Sequence, residues 1–338
     1  MTSSGWFEQL TGFREESYES TQRRLLVEGD ELVSAVNGKR YDIGRLTLPT
    51  LAELRTRVNA GQGQRSSVQV LQGDVRALHS DPAYAGALFQ VASQFNLLEM
   101  TSPEVSPEHG VARYAHDHTQ GPACATAAGA ATIYRNYCVP VGGGIGQTRD
   151  RQLNALAGLG SALSELLHQP VDELWHMSNG YALCTRRGLT TIGYLLDEAP
   201  QDLLDELRGH LAIGLHSDVE VTDPPVDDRP VVSQAYCSAL PVSYSSLHED
   251  DWKPFAKLVL EAAYEATLLS AAEKAGSGGS NTVLLTRLGG GAFGNHDDWI
   301  NDAIVRGLRV VEYAGLDIRI VSYGSASPGV QEIVDNWG

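Results

Sequence analysis

Two kinds of residue in this chain have the type and spacing to do chemistry: a run of glycines after an apolar stretch, and carboxylates near strand ends. In residues 281–304, NTVLLTRLGGGAFGNHDDWINDAI, a short β-rich run ends in Gly289, Gly290 and Gly291, then Ala292, Phe293, Gly294 and Asn295, before a helix start at Asp297 and Asp298. Glycines adopt positive φ and let the backbone approach a ligand closely. Successive N–H groups beside a helix N-terminus form a concavity suited to a diphosphate. The same string also serves as a tight connection with no ligand. Glu99 lies just past Asn96 at the end of an apolar run, where a carboxylate could act as general acid or base. In RYAHDHTQGPAC, Asp117 stands between His116 and His118 and could orient water, hold a metal or bind a diol; alternatively it sits in a helix-cap region with two surface histidines. Three adjacent residues make a weak metal motif, so further ligands would have to come from Asn295, His296 and Asp297. Cys124 near a helix start is either a thiol of lowered pKa or a small core contact. Arg135, flanked by Tyr134 and Tyr137, could pair with a phosphate, and the tyrosines could stack on a base or simply pack.

These groups need a scaffold to bring them together. Residues 1–64 read as a separate β-rich lobe, with turn signals at Glu28-Gly29-Asp30 and a hairpin signal at Asn37-Gly38, then a short helix from about Thr50. No chemistry is expected in that lobe. A polar linker over 59–67 leads into residues 65–338, where strands alternate with helices as in a mixed or parallel sheet covered on both faces. Strands are expected at 68–70, 88–95, 231–236, 282–285 and 318–322, and helices at 121–133, 252–273 and 299–315. The stretch at about 135–230 is richer in helix signals, ends in the Pro/Asp cluster VTDPPVDDRP, and reads as an insertion on the sheet.

The bulk properties exclude several classes. A chain of 338 residues with 42% hydrophobic residues buries an ordinary core. No run approaches the roughly 18 apolar residues of a membrane span, and the first residues lack a signal-peptide pattern, so a soluble cytoplasmic protein is expected. The four cysteines are scattered without a CxxC pair, which argues against a zinc knuckle or a disulfide framework. The net charge of −17 disfavours sequence-independent binding to nucleic acid. It leaves room for a small anion held by backbone amides. Much of the acidity, at 198–206 and 218–228, reads as solvated surface.

The order of these motifs resembles a macrodomain, the three-layer α/β/α module that binds ADP-ribose. Gly73-Asp74-Val75 is similar to the family's Gly-Asp-Ile step, which implies that Asp74, with Val75 beside it, receives the adenine amino group. FQVASQFNLL resembles the strand ending in the family's Asn-Ala-Ala-Asn, which implies that Asn96 faces the distal ribose. Gly110-Val111 followed by Gly121-Pro122-Ala123 resembles the first glycine loop and its helix, and LLTRLGGGAFGN the second loop. In that loop Gly290, Gly291, Ala292 and Gly294 would cradle the diphosphate, with Asn295 beside them and Phe293 against the distal ribose. The resemblance covers 68–135 and 231–323, leaving the first lobe and the insertion outside. It implies an α/β, macrodomain-like mixed sheet, ADP-ribose or an ADP-ribosylated substrate as partner, no cofactor, and hydrolysis of an ADP-ribosyl linkage with Glu99 or Asp117 activating water. Two departures matter. Ala112 replaces the acidic residue that follows Gly-Val in mono-ADP-ribosyl hydrolases, and GGGIGQTRD at 142–150 lacks the tandem glutamates of poly(ADP-ribose) glycohydrolases. A non-catalytic reader of ADP-ribose, or a scaffold using the acidic insertion, therefore stand as alternative readings.

Overall fold

The structure, a computed structural model, describes residues 5–58, 63–224 and 229–338. Parts of the expected linker (59–62) and of the Pro/Asp cluster (225–228) lie outside the described residues.

Seven strands form the central sheet: β1 (Arg45–Thr47), β2 (Ser67–Gln72), β3 (Leu88–Ala92), β4 (Gly214–Glu220), β5 (Val231–Cys237), β6 (Thr282–Leu285) and β7 (Asp317–Ser322). They lie in the order β1-β4-β5-β3-β6-β7-β2. Five strands, β5 to β2 in that order, run parallel, and β4 is antiparallel to both β5 and β1. One row of the ladder reads Ser233, Leu88, Val283, Ile318, Val68 across the five parallel strands. The central strands β3 and β5 are buried along nearly their whole length, as expected for parallel strands covered on both faces.

The fold is therefore the expected α/β sandwich of three layers. One face carries α1 (Val75–Ser80), α2 (Gln120–Ala127) and α3 (Gly129–Ile133); the other carries the long α4 (Glu249–Gly276), with α5 (Asp297–Val310) packed against it and a last helix α6 (Pro328–Trp337) beyond. On the α4 side, Gln90 Nε2 donates to Thr267 Oγ1 (3.1 Å). On the α2 side, His79 stacks on Phe89 at 3.8 Å, and Gln234 Nε2 donates to Cys124 O (3.0 Å). Both of these buried glutamine amides find partners, as burial in apolar surroundings demands.

The expected hairpins are present: Leu25–Glu28 turns at Gly29 (φ +64) into Glu31–Ser34, which pairs with Arg40–Asp42 through a turn holding Gly38 (φ +71). Thr50 opens the helix Leu51–Arg57 with a capping box to Glu53. Ahead of these strands stand two short helices, Trp6–Thr11 and Tyr18–Gln22, which the alternating pattern did not announce. The helix expected over 121–133 is broken at Ala128 (ψ 59) into α2 and α3. The stretch 135–230 contains the helices Ala157–Leu167, Arg186–Glu198 and Gln201–Gly209 and the hairpin Trp175–Ser178/Tyr181–Cys184, but also β4, a full member of the main sheet. Asp205 keeps the half-exposed side chain expected of a solvated face, yet engages Arg208 on its own helix (2.8 Å) and Arg306 on α5, the latter tying the insertion helix to the α4–α5 layer. No helix among the described residues is long and apolar enough to cross a membrane.

Candidate functional site

Because the parallel strands point the same way, their C-terminal ends open on one edge of the sheet, where ligands of open α/β folds bind. Two adjoining cavities occupy that edge. The first, about 180 Å³, is walled by Glu99, Asp117, Gln120, Tyr181, the glycine loop and Phe293. The second, about 550 Å³, is walled by Asp74, Val75, Tyr114, Thr126 and Tyr323. Asp117, Gln120, Pro122, Thr286 and Arg287 line both, so the two form one cleft.

The glycine loop leaves β6 and is fixed from behind. Tyr264 Oη donates to Thr286 O (2.6 Å) and accepts the Leu288 N–H (2.8 Å). Gly289 (φ +75) lies against Ala239, where a Cβ would stand 2.5 Å from the Ala239 Cβ, so only glycine fits. Asn295 closes the loop: its N–H donates to Gly289 O (2.9 Å) and its Nδ2 to Leu240 O (2.8 Å). Among the described residues no acceptor takes the N–H groups of Gly291, Ala292 or Phe293. Three consecutive free donors at a cleft wall form an anion-binding concavity. Phe293 packs on Tyr181 (5.3 Å) and edge-on to Tyr244 (5.7 Å), closing the first cavity with an aromatic wall.

Glu99 is the chemical anomaly of the cleft. Its side chain is buried (2% exposed) and, among the described residues, neither carboxyl oxygen has a hydrogen-bond partner. Burial pushes its carboxyl up to about 8, against the opposing field of Arg135. At neutral pH the group is therefore mostly protonated and carries a donatable proton. The space for it exists because residue 121 is glycine: a Cβ there would stand 3.0 Å from Glu99 Cγ and 2.0 Å from Ala92 O. Tyr114 Oη accepts the Glu99 N–H (3.0 Å). Asp117 Oδ1 accepts from the Thr119 N–H (2.9 Å) and hydroxyl (2.6 Å), which fixes its carboxylate at the junction of the cavities. Gln120 anchors the start of α2 to β3, accepting the Ala92 N–H (2.8 Å) and donating to Gln90 O (2.9 Å).

Of the residues singled out in the sequence, Glu99, Asp117, Gly291, Ala292 and Phe293 meet in the first cavity, and Asp74 and Val75 line the second. Others lie elsewhere. Asn96 is fully buried away from the cleft: β3 ends at Ala92, and the chain turns so that Asn96 Oδ1 accepts the Leu98 N–H (3.1 Å) while Nδ2 donates to Gln152 (2.8 Å). Gly290, Gly294 and Asn295 shape the loop without walling the cavities. Arg135 is fully buried, donating to Leu97 O (3.1 Å) and Thr132 (3.0 Å) and stacked on Tyr236, so it offers nothing to a phosphate in the cleft. Tyr137 packs on Tyr18 at 4.8 Å. Cys124 is a core residue whose thiol is pushed well up by burial. The string 142–147 forms the hairpin Pro140–Val141/Gly144–Ile145, apart from both cavities. Among the described residues no group of His, Cys, Asp and Glu is placed to hold a metal.

Gln120, within the RYAHDHTQGPAC segment, lines both cavities, whereas Tyr181, Tyr244, Arg287 and Tyr323 were not singled out in the sequence. Only Tyr323 carried a signal, an aromatic immediately past the last strand; it is 83% exposed at the mouth of the second cavity. Tyr181 comes from the insertion hairpin and Tyr244 from the turn after β5, contacts that no local pattern encodes.

No protein-family model matches the chain, and no curated protein sequence matches it. Among solved structures, it is similar to the poly(ADP-ribose) glycohydrolase of Thermomonospora curvata at 11% identity and a TM-score of 0.47, over 95% of this chain and 96% of that one. The same enzyme bound to the inhibitor ADP-HPD matches at 12% identity and 0.44, over 94% and 95%. The poly(ADP-ribose) glycohydrolase of Deinococcus radiodurans in complex with ADP-ribose matches at 12% identity and 0.42, over 96% and 98%.

Proposed function

We propose that the cleft binds ADP-ribose or a related nucleoside diphosphate sugar and that the protein hydrolyses an ADP-ribosyl linkage. The observation that carries this reading is Glu99: a residue lining the first cavity whose buried carboxyl has, among the described residues, no partner for either oxygen, beside a loop whose Gly291, Ala292 and Phe293 N–H groups meet no acceptor among the described residues. A protein holds an unpaired buried carboxyl at considerable cost in stability, and groups so perturbed cluster at reactive sites.

In this reading the adenine lies in the second cavity, its amino group donating to Asp74 and its ring against Tyr323. The diphosphate takes the N–H groups of Gly291, Ala292 and Phe293, and the distal ribose fills the first cavity under Phe293. Glu99 gives its proton to the leaving oxygen as the bond from that oxygen to the anomeric carbon breaks. Water adds to the anomeric carbon, and its proton passes to the Asp117 carboxylate. The positive charge that develops on the ribose is stabilised by that carboxylate, an effect that contributes several kcal/mol in such sites. The free thiols, three of them buried, suit the reducing cytoplasm in which we place the protein.

The test is calorimetric titration with ADP-ribose, with AMP and NAD as controls, followed by turnover of ADP-ribosylated protein and poly(ADP-ribose). ADP-ribose-selective binding together with turnover lost in Glu99→Gln supports the proposal. Binding with no turnover by the wild type would leave a reader of ADP-ribose, and no binding would end the reading.

A further inference from the structure

We propose that Glu15, in the N-terminal segment, is a positioning residue for Glu99 and Asp117, the two carboxyl groups of the first cavity; the inference rests on the functional reading above. Its carboxylate reaches across 96 residues of sequence to accept the N–H groups of Val111 and Ala112, both at 2.8 Å. Those are the first donors of the short helical turn Ala112–His116, whose start has no other side-chain cap. Two orphan donors at a helical start are the groups that a capping acceptor stabilises. Tyr137 Oη donates to the same carboxylate (2.8 Å), and Tyr18, three residues on in the N-terminal segment, packs on the Tyr137 ring.

What the turn carries gives the clamp its consequence. In its middle, Tyr114 presents the hydroxyl that accepts the Glu99 N–H, and at its end the Asp117 N–H donates to Tyr114 O (3.2 Å), placing Asp117 at the cavity junction. One carboxylate from the N-terminal segment thus sets the turn that holds Glu99 at one point and delivers Asp117 at another. Gly110 shows how closely the chain is fitted to it: at φ +78, a Cβ would stand 2.2 Å from Glu15 Oε2. The adenine and diphosphate walls, Asp74 and the glycine loop, have no contact with Glu15 among its hydrogen bonds.

Catalysis and binding should separate when Glu15 is removed. Glu15→Ala should lower kcat at least tenfold while KM and ADP-ribose affinity stay within about twofold, because the transition-state groups move and the binding groups do not. Glu15→Gln, which keeps one acceptor oxygen, should fall between the variant and wild type. Hydrogen exchange supplies the second readout: the Glu99, Val111 and Ala112 amides should lose protection in Glu15→Ala, with the Leu284 amide in β6 unchanged. A folded Glu15→Ala with wild-type kcat and unchanged exchange at those amides overturns the proposal. Should Glu15→Ala fail to fold, the same two readouts on Glu15→Gln decide it. A wild-type protein without turnover sinks the functional reading; the exchange result then still tells whether Glu15 holds the turn.

Discussion

Replacing Glu99 by glutamine should make the protein more stable at alkaline pH while removing its activity. The unfolded chain gives up this proton near 4.5, whereas the folded chain keeps it to about 8. Between those values the folded state binds more protons, so stability falls as pH rises through the window and is fully present only below it. At about 1.4 kcal/mol per factor of ten, the window corresponds to about 5 kcal/mol. Glutamine has the shape of the protonated acid and does not titrate, so the two proteins should match near pH 4 and part progressively above it, by several kcal/mol at about pH 9. Urea unfolding of both proteins across this range measures the difference, since titrating groups that do not feel Glu99 cancel between them and the Tyr114, Cys124 and Tyr236 groups that do are held well above their ordinary range. Turnover should fall by about 10²–10⁴ in the variant, and in wild type it should decline as pH passes about 8, where Glu99 loses the proton it is proposed to donate. Parallel stability curves from acid to alkaline pH would refute the account of Glu99 as a buried, neutral acid.

Further outcomes follow from the same geometry. Asp74→Ala should weaken ADP-ribose binding roughly 10–100-fold by losing a charged acceptor, and cost about 1 kcal/mol because Asp74 also caps α1 by accepting the Arg76 N–H; calorimetry and thermal unfolding separate the two. Gly289→Ala should destabilise the protein by more than about 2 kcal/mol, since the new methyl meets Ala239 at positive φ. Gly291→Ala, with nothing within 4 Å of its Cβ, should leave stability within about 0.5 kcal/mol. Tyr323→Ala should leave unfolding unchanged and weaken binding of ADP-ribose more than of ribose 5-phosphate, because the exposed ring lines only the second cavity, where the adenine is proposed to lie.

By itself the sequence determined the punctuation of the chain. Gly29 and Gly38 must turn, Thr50 must cap, and 282–285 must be a strand, because φ preferences, capping hydrogen bonds and apolar patterning act over a few residues. The glycine loop and the acidic residues were legible for the same reason. Tertiary structure decided what those residues do. Asn96 left the cleft because β3 stopped at Ala92, and Arg135 went to the core because Thr132, Leu97 O and the Tyr236 ring wait for it there. Glu99 became a neutral acid only through burial against Gly121 from a helix 22 residues further on, and Glu15 gained a task only through loop amides far away in sequence. Burial, desolvation and long-range hydrogen bonds depend on which segments meet in space, and local patterns carry no term for that.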